Sequence, residues 1–237
     1  MSERPWNQIR AIEIIPNYLK HPEGSCLISC GNTKVLCTAT IETKVPKWMQ
    51  GKGKGWITAE YDMLPRATDS RTMRDGRKGK VKGRTQEISR LIGRSLRAIA
   101  SLDALGELNV ILDCDVIQAD GGTRTTSITG AYVALALALQ NHFGSRETVQ
   151  QILKDQVAAL SVGVVNDEIR VDLDYALDST AQVDMNIVMT GRGDLIEVQG
   201  TGEESTFTHQ ELNSMLESAL ATLPTICAAQ KQALGWT

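Results

Sequence analysis

The sequence predicts an α+β fold in which mixed sheets pack with helices, and three observations lead to this class. Short β-rich runs alternate with helical segments along the 237-residue chain. Hydrophobic residues make up 42% and charged residues 22%, as in globular proteins that bury a large core. No repeat, low-complexity linker or clean boundary separates two similar halves, so residues 1–237 are expected to form one domain.

The N-terminal half begins with strands. β-rich runs bounded by turn-forming residues predict strands at residues 8–15, 24–30, 34–42 and 55–63. Residues 43–83, apart from the strand at 55–63, are rich in Gly, Lys and Arg. A loop of this length is usually functional or disordered. A helix is predicted at 84–100 by an apolar stripe. The opposite side of this helix carries three arginines: Arg90, Arg94 and Arg97. They form either a solvated face or a second wall beside the basic loop at 43–83.

The C-terminal half repeats strands and helices. Strands are predicted at 108–116, 158–165, 169–173, 182–190 and 195–200. Helices are predicted at 123–139 and around 148–154. A last helix opens at Thr208, which forms a capping box with Glu211, and Pro224 is expected to bend or end it.

The five cysteines are odd in number, lie among apolar neighbours and lack metal-binding spacing: Cys26, Cys30, Cys37, Cys114 and Cys227. They are expected to be reduced core residues. The N-terminus lacks the apolar stretch of a secretory signal, and the uncharged segment 125–145 has only about a dozen consecutive apolar positions, too few for a membrane span. We therefore expect a cytoplasmic protein with no membrane association.

The charge distribution is more informative than the net charge of −3. Between Lys44 and Arg97, 15 basic and five acidic residues give a net charge of +10, whereas the rest of the chain carries −13. Such polarity favours a polyanionic partner, although a solvated loop would have the same composition. Few aromatic residues lie in the basic segment, so base stacking there is expected to be limited.

A glycine-rich turn joins a strand to a helix at Asp120-Gly121-Gly122-Thr123-Arg124. The amides that open a helix lack partners and favour an anion, and Arg124 adds a bidentate donor for phosphate. The turn does not have the Walker spacing, because no Lys follows in the required register. A tight turn before a capped helix explains the same residues without a ligand.

Four aspartates cluster in the C-terminal half: Asp172, Asp174, Asp178 and Asp184. Asp172 and Asp174 are predicted to share one face of a strand, and Asp178 and Asp184 flank a short polar stretch. Two of these carboxylates could hold Mg²⁺ together with waters and phosphate oxygens. Helix capping and turn formation are the alternative roles. No Ser, Cys or His arrangement suggests a protein nucleophile, which suits attack by one phosphate on another.

Several segments closely resemble the ribonuclease PH family. They are GWITAEY at 55–61, MLPR at 63–66, GRTQEI at 83–88, LDCDVIQADGGTR at 112–124 and TFTH at 206–209. The likeness runs from Arg4 to the C-terminal helix. It implies the ribosomal protein S5 domain 2-like (RNase PH) fold in a homohexamer, a trimer of dimers. It also implies a phosphorolytic 3′→5′ exoribonuclease that trims tRNA precursors, and other RNA 3′ ends, with inorganic phosphate as co-substrate.

The resemblance also implies roles for individual residues. Arg84 and the Gly122-Thr123-Arg124 turn would bind the attacking phosphate, and Arg84 and Arg124 would act in catalysis with Asp178 and Asp184. The two aspartates would hold Mg²⁺. Four arginines match the segment that guides the RNA: Arg66, Arg71, Arg74 and Arg77. Asp172 and Asp174 match no catalytic role and are expected to be structural. A non-catalytic ring subunit and a metal-dependent hydrolytic nuclease remain as alternative functions.

Overall fold

The computed structural model describes residues 4–74, 79, 81–202 and 205–236. These residues form two β-sheets with helices between and beside them, which confirms the predicted α+β class. The first sheet contains β1 (Ile12–Pro16), β2 (Gly24–Cys30), β3 (Thr33–Glu42), β4 (Trp56–Met63) and β5 (Asn109–Gln118). The second contains β6 (Val157–Val165), β7 (Glu168–Val171), β8 (Val183–Thr190) and β9 (Leu195–Gly202).

One parallel pair in the first sheet fixes the position of two helices. The strand order is β1-β2-β3-β5-β4, and the neighbours are antiparallel except β4 and β5. Parallel strands need a crossover, which α1 (Gly83–Ala98) makes while packing on β4. Strands β4 and β5 therefore end at the same edge of the sheet. The long helices that follow them, α1 and α3 (Thr123–Phe143), both begin near that edge.

Helix α3 lies between the two sheets and is apolar on nearly all sides. It packs on β2, β3 and β5 of the first sheet and on β6 of the second. Strand β6 is buried on both faces: Val157 and Ala159 join the α3 core, whereas Ala158 and Leu160 join a core under α6 (His209–Leu234). The second sheet, ordered β7-β6-β8-β9, is antiparallel throughout.

Three short elements were not predicted from the sequence. They are a 3-10 turn at Lys47–Met49 and the single-turn helices α2 (Leu102–Leu105) and α5 (Tyr175–Asp178). Helix α4 (Arg146–Ile152) lies close to its predicted place, and the first strand begins four residues later than predicted. The five cysteines are free and buried, as predicted. Within the described part of the chain, no helix has the length and apolar character needed to cross a membrane.

One prediction about the second half is wrong, and one of the two outcomes expected at Pro224 does not occur. Asp172 and Asp174 do not share a strand face, because β7 ends at Val171 and Asp172 adopts a left-handed conformation with φ of 57°. Asp174 instead caps α5 by accepting a hydrogen bond from the amide of Leu177. The sequence predicts that Pro224 bends or ends the last helix, and the helix does not end there but continues to Leu234. The helical bond that it cannot donate would reach the carbonyl of Leu220, on an exposed turn where water can bind.

Candidate active site

A cavity of about 330 Å³ opens at the edge where β4 and β5 end. It gathers all six residues that the sequence resemblance assigned to phosphate, catalysis or metal: Arg84, Gly122, Thr123, Arg124, Asp178 and Asp184. Arg84 comes from the first turn of α1, and the next three come from the start of α3. Asp178 ends α5 and Asp184 lies on β8. Both sheets therefore contribute to one site.

The glycine-rich turn presents the start of α3 to this cavity. Gly121 has φ of 71°, and a Cβ there would lie 2.4 Å from the carbonyl oxygen of Leu173, so only glycine fits. Gly122 is the N-cap and provides no side chain to bond the first amides of the helix. These amides and the dipole of a 21-residue helix suit an anion at this position.

Two hydroxyls fix the turn from the first sheet. The buried Tyr61 hydroxyl of β4 lies 2.9 Å from Thr123 Oγ1, and burial raises the pKa of Tyr61. Thr33 Oγ1 donates to the carbonyl of Gly121 at 2.6 Å and accepts from the amide of Asp120 at 2.9 Å. The turn is thus held in place before any ligand binds.

Arg124 is oriented by residues of α1 and β9. Its Nη1 donates to Gln199 Oε1 at 2.9 Å and lies 3.7 Å from a carboxylate oxygen of Glu87. Gln199 in turn donates to Glu87 at 3.2 Å and to Glu197 at 2.8 Å. Glu197 also accepts two hydrogen bonds from Arg94. Arg94 is therefore part of a network that ends at the candidate phosphate site.

The remaining helix arginines make different contacts. The Arg97 guanidinium lies 4.3 Å from the centre of the Trp56 ring, and its Nη1 donates to the carbonyl of Ile57. Arg90 is exposed and lines a separate cavity beside β4. The sequence left two roles open for these arginines, a solvated face or a second wall of the basic segment. In the structure, Arg94 and Arg97 instead connect α1 to β9 and β4 through the contacts described above.

The two aspartates fit a Mg²⁺ ion by their chemistry. Asp178 is exposed and Asp184 is partly buried, and both line the cavity that holds the glycine-rich turn. No group of three or more His, Cys, Asp or Glu side chains suited to a metal occurs among the residues that the structure describes. Mg²⁺ commonly takes one or two protein carboxylates and completes its shell with waters and substrate phosphate. The donor set therefore matches this ion.

Behind the turn lies a buried ion pair that sequence reasoning missed. Arg10 Nε and Nη2 donate to the Asp172 carboxylate at 2.8 and 2.7 Å, and Arg4 donates to it at 3.2 Å. Arg10 Nη1 also donates to the carbonyl of Asp120 at 2.5 Å. Burial opposes the charge of Asp172, but its bonds with Arg10 outweigh burial and hold its pKa below the usual carboxyl range. Asp172 and Arg10 thus anchor the glycine-rich turn from within the protein.

The predicted RNA-binding arginines are dispersed. Arg66 lines a second cavity that adjoins the first. Arg71 and Arg74 are exposed and line neither cavity; the charge of Arg74 reaches Asp115 on β5. Arg77 lies outside the described residues.

The site also contains residues that no motif indicated. Thr68, Ser161, Tyr175 and Asn186 line the main cavity. Ser161 and Asn186 belong to strands, and only the pairing of β6 with β8 brings them to the site. The one sequence signal was the proximity of Tyr175 to Asp174 and Asp178.

Comparisons with known proteins show which family the chain is similar to. The two domain models of the 3′ exoribonuclease family match residues 8–139 (domain 1) and 155–222 (domain 2). Ribonuclease PH of Bacillus mycoides (strain KBAB4) is 58% identical over 229 residues, which cover 96% of this chain and 94% of the relative. The enzyme of Bacillus cereus (strain AH187) is 57% identical over 98% of this chain and 95% of its own.

The chain belongs to the 3′ exoribonuclease family. The resemblance stated from the sequence motifs is therefore confirmed over nearly the whole chain.

Solved structures share the fold. Rice (Oryza sativa) Rrp46 aligns with a TM-score of 0.80 over 98% of both chains at 20% identity. A chain of the Archaeoglobus fulgidus exosome with RNA bound to the active site aligns with a TM-score of 0.76 at 17% identity. This alignment covers 95% of the present chain and 90% of that one. These likenesses confirm the predicted RNase PH fold.

Proposed function

We propose that this protein is a phosphate-dependent 3′→5′ exoribonuclease that trims tRNA precursors and other RNA 3′ ends in the cytoplasm. One observation carries the proposal: a single cavity combines an uncapped helix N-terminus and two arginines with two carboxylates. The helix N-terminus and the arginines suit an attacking phosphate. The two carboxylates suit a cation that neutralises a phosphodiester. The curated relatives named Ribonuclease PH support the same reaction.

In the proposed reaction, hydrogen phosphate binds to the first amides of α3 and to Arg84 and Arg124. One of its oxygens attacks the phosphorus of the last phosphodiester in line, and the bond to the 3′ oxygen of the preceding nucleotide breaks. The terminal nucleotide leaves as a nucleoside diphosphate. The shortened RNA keeps a 3′ hydroxyl, whose proton is supplied by the hydrogen phosphate. The protein positions and neutralises charge and supplies no nucleophile.

Asp178 and Asp184 would hold Mg²⁺ in this scheme. When bound, the ion supplies positive charge to non-bridging phosphate oxygens and to the leaving oxygen. The Arg10–Asp172 pair and Tyr61 keep the turn in its binding conformation, while Gln199 and Glu87 orient Arg124.

The basic segment would guide RNA to the cavity through Arg66, Arg71, Arg74 and Arg77. One 25.8 kDa subunit offers a small surface for a folded tRNA, and we propose a homohexamer built as a trimer of dimers. Light scattering of the purified protein would then give about six times the subunit mass. A mass of one or two subunits would contradict the hexamer without affecting the proposed chemistry.

A product assay tests the function directly. The protein is incubated with a tRNA bearing extra 3′ nucleotides, with Mg²⁺, in the presence and absence of inorganic phosphate. Nucleoside diphosphates that form only with phosphate are the expected result, and adding diphosphates without phosphate should extend the RNA.

The same assay separates the alternatives. Nucleoside monophosphates released without phosphate would show a hydrolytic nuclease. Binding of the tRNA with no product under either condition would show a non-catalytic ring subunit. Either result would overturn the proposed function.

A further inference from the structure

A second cavity of about 490 Å³ adjoins the candidate active site. The two cavities share Thr68, Ala119 and Tyr175 in their linings, so Tyr175 stands where one opens into the other. Tyr175 is 64% exposed, which makes it one of the most exposed large hydrophobic residues in the described part of the chain. Nothing in the packing of the protein core requires an aromatic ring at this place.

The walls of this cavity are fixed by internal hydrogen bonds. The amide of Ala119 donates to the carbonyl of Ala67 at 2.8 Å and joins the end of β5 to the segment that carries Arg66. Asn32 Nδ2 donates to Asp120 at 3.1 Å. The backbone amide of Tyr175 donates to the other oxygen of that carboxylate at 3.3 Å. The position of the tyrosine is therefore set before a ligand arrives.

The composition of the cavity suits a base better than a phosphate. Its charged groups are the guanidinium of Arg66 and the carboxylates of Asp69 and Asp120, so the lining has no excess of positive charge. The amides of Asn32 and Gln118 add polar contacts. An exposed aromatic ring binds any nucleobase by stacking, because each base has a π face.

We propose that Tyr175 is a stacking platform for a nucleobase at the 3′ end of the RNA substrate. The inference rests on the proposed function, since it places the reacting phosphodiester in the cavity next to the ring. A base beside that phosphodiester then meets the tyrosine at the junction of the two cavities. The platform lies outside the basic segment, where the scarcity of aromatic residues had predicted limited stacking.

Binding of short RNAs tests the platform without turnover. Intact protein is titrated, in buffer without phosphate, into a 5′-labelled 12-nucleotide oligoadenylate and into two versions with a single abasic ribose at the last or the penultimate position. Tyr175→Ala is expected to weaken binding of the intact RNA by about 5- to 100-fold. With one of the two abasic RNAs, the same substitution should change binding less than about twofold, because the stacked base is missing.

Three further variants complete the experiment. Tyr175→Phe and Tyr175→Trp keep a ring and should bind the intact RNA nearly as the wild type does. Tyr18→Ala removes a tyrosine that is 48% exposed but lines neither cavity, and it should bind normally. Circular dichroism confirms that each variant is folded.

Two results would overturn the platform. One is a Tyr175→Ala variant that binds like Tyr18→Ala, and the other is an equal loss for intact and both abasic RNAs. The product assay on wild-type protein reports separately on the proposed function. If phosphorolysis is normal but Tyr175→Ala binds the RNA as tightly as the wild type, only the platform is rejected. If Tyr175→Ala weakens RNA binding but no diphosphates form, only the proposed reaction is rejected.

Discussion

Arg124 is held between the start of α3 and a polar network on α1 and β9, and its side chain is only 17% exposed. If it neutralises charge on the phosphates, Arg124→Ala should lower the rate of phosphorolysis by about 10²–10³, as loss of a comparable charge-stabilising donor does. Single-turnover assays at saturating RNA measure this rate. Arg192→Ala, which removes an exposed arginine paired with Asp155, should leave it unchanged. Near-normal turnover by Arg124→Ala would contradict the assignment.

Asp172 should matter for stability and for phosphate binding together. The residue is 4% exposed, and Asp172→Asn leaves the Arg10 guanidinium buried without its counter-charge. We expect a loss of about 3 kcal/mol in the free energy of unfolding and a raised KM for phosphate, because Arg10 also holds the turn. Urea unfolding and phosphate titration measure the two effects. Asp167→Asn, a substitution of an exposed aspartate, is the control.

The stability effect of Asp172 should depend on pH. Its pKa in the folded protein lies below the usual value, so its charge stabilises the fold above the unfolded pKa of about 4. The difference between wild type and Asp172→Asn should therefore shrink as the pH falls below about 4 through the folded pKa. A difference that stays constant down to pH 2 would mean that the carboxylate charge is not what stabilises the fold.

Single residues were predictable where a motif contains them. The turn at Gly121-Gly122 and Arg124 were named from the properties of glycine and arginine, whereas Arg84 was assigned only by the family resemblance. Asp172 was expected to be structural, but not as the partner of Arg10, which lies 162 positions away. Contacts at that separation depend on how the two sheets meet, and a linear pattern does not contain this information.

Strands and long helices were predicted close to their observed places, because their apolar spacing and caps are local properties. The capping box of Thr208 and Glu211 is present as predicted. The parallel pairing of β4 with β5 was not predicted, although it brings the starts of α1 and α3 together. Single-turn helices such as α5 have too few residues for a hydrophobic period to show.

The open face of the first sheet carries carboxylates on adjacent strands. Glu60 pairs with Asp113 and Asp62 with Asp115 in the β4–β5 register. Partial burial, followed by the charge of Asp62, raises the pKa of Asp115. A raised pKa means that the folded protein disfavours the charged carboxylate. Asp115→Asn should therefore stabilise the fold near pH 7, by only a few tenths of a kcal/mol because solvent screens the repulsion.

The gain from Asp115→Asn should vanish in acid. The folded protein holds the Asp115 proton to a higher pH than the unfolded chain does. The destabilisation is therefore absent below about pH 4 and develops as the pH rises through the folded pKa. Thermal unfolding at pH 3.5 and pH 7 measures both limits. A loss of stability at pH 7 would show that the carboxylate has a favourable partner.

The polarised charge of the chain has its clearest consequence in RNA binding. If Arg71, Arg74 and Arg77 contact phosphates, replacing all three with alanine should flatten the dependence of affinity on salt. Each lost contact lowers the slope of log affinity against log salt by about 0.7 for a single strand. Filter binding of oligoadenylate between 50 and 300 mM KCl is a suitable measurement. An unchanged slope would mean that these arginines are only solvated.

The position of α3 limits how this molecule can be divided. Residues 140–154 separate the two family-model stretches, and α3, whose last turn extends into them, is covered by both sheets. A break in the chain after α3 would leave this helix in the N-terminal fragment. The helix would then lack the second sheet, which packs on it in the intact protein. Each fragment alone would expose a wide apolar surface and tend to aggregate. The two pieces would have to be produced together and associate during synthesis to regain the native structure.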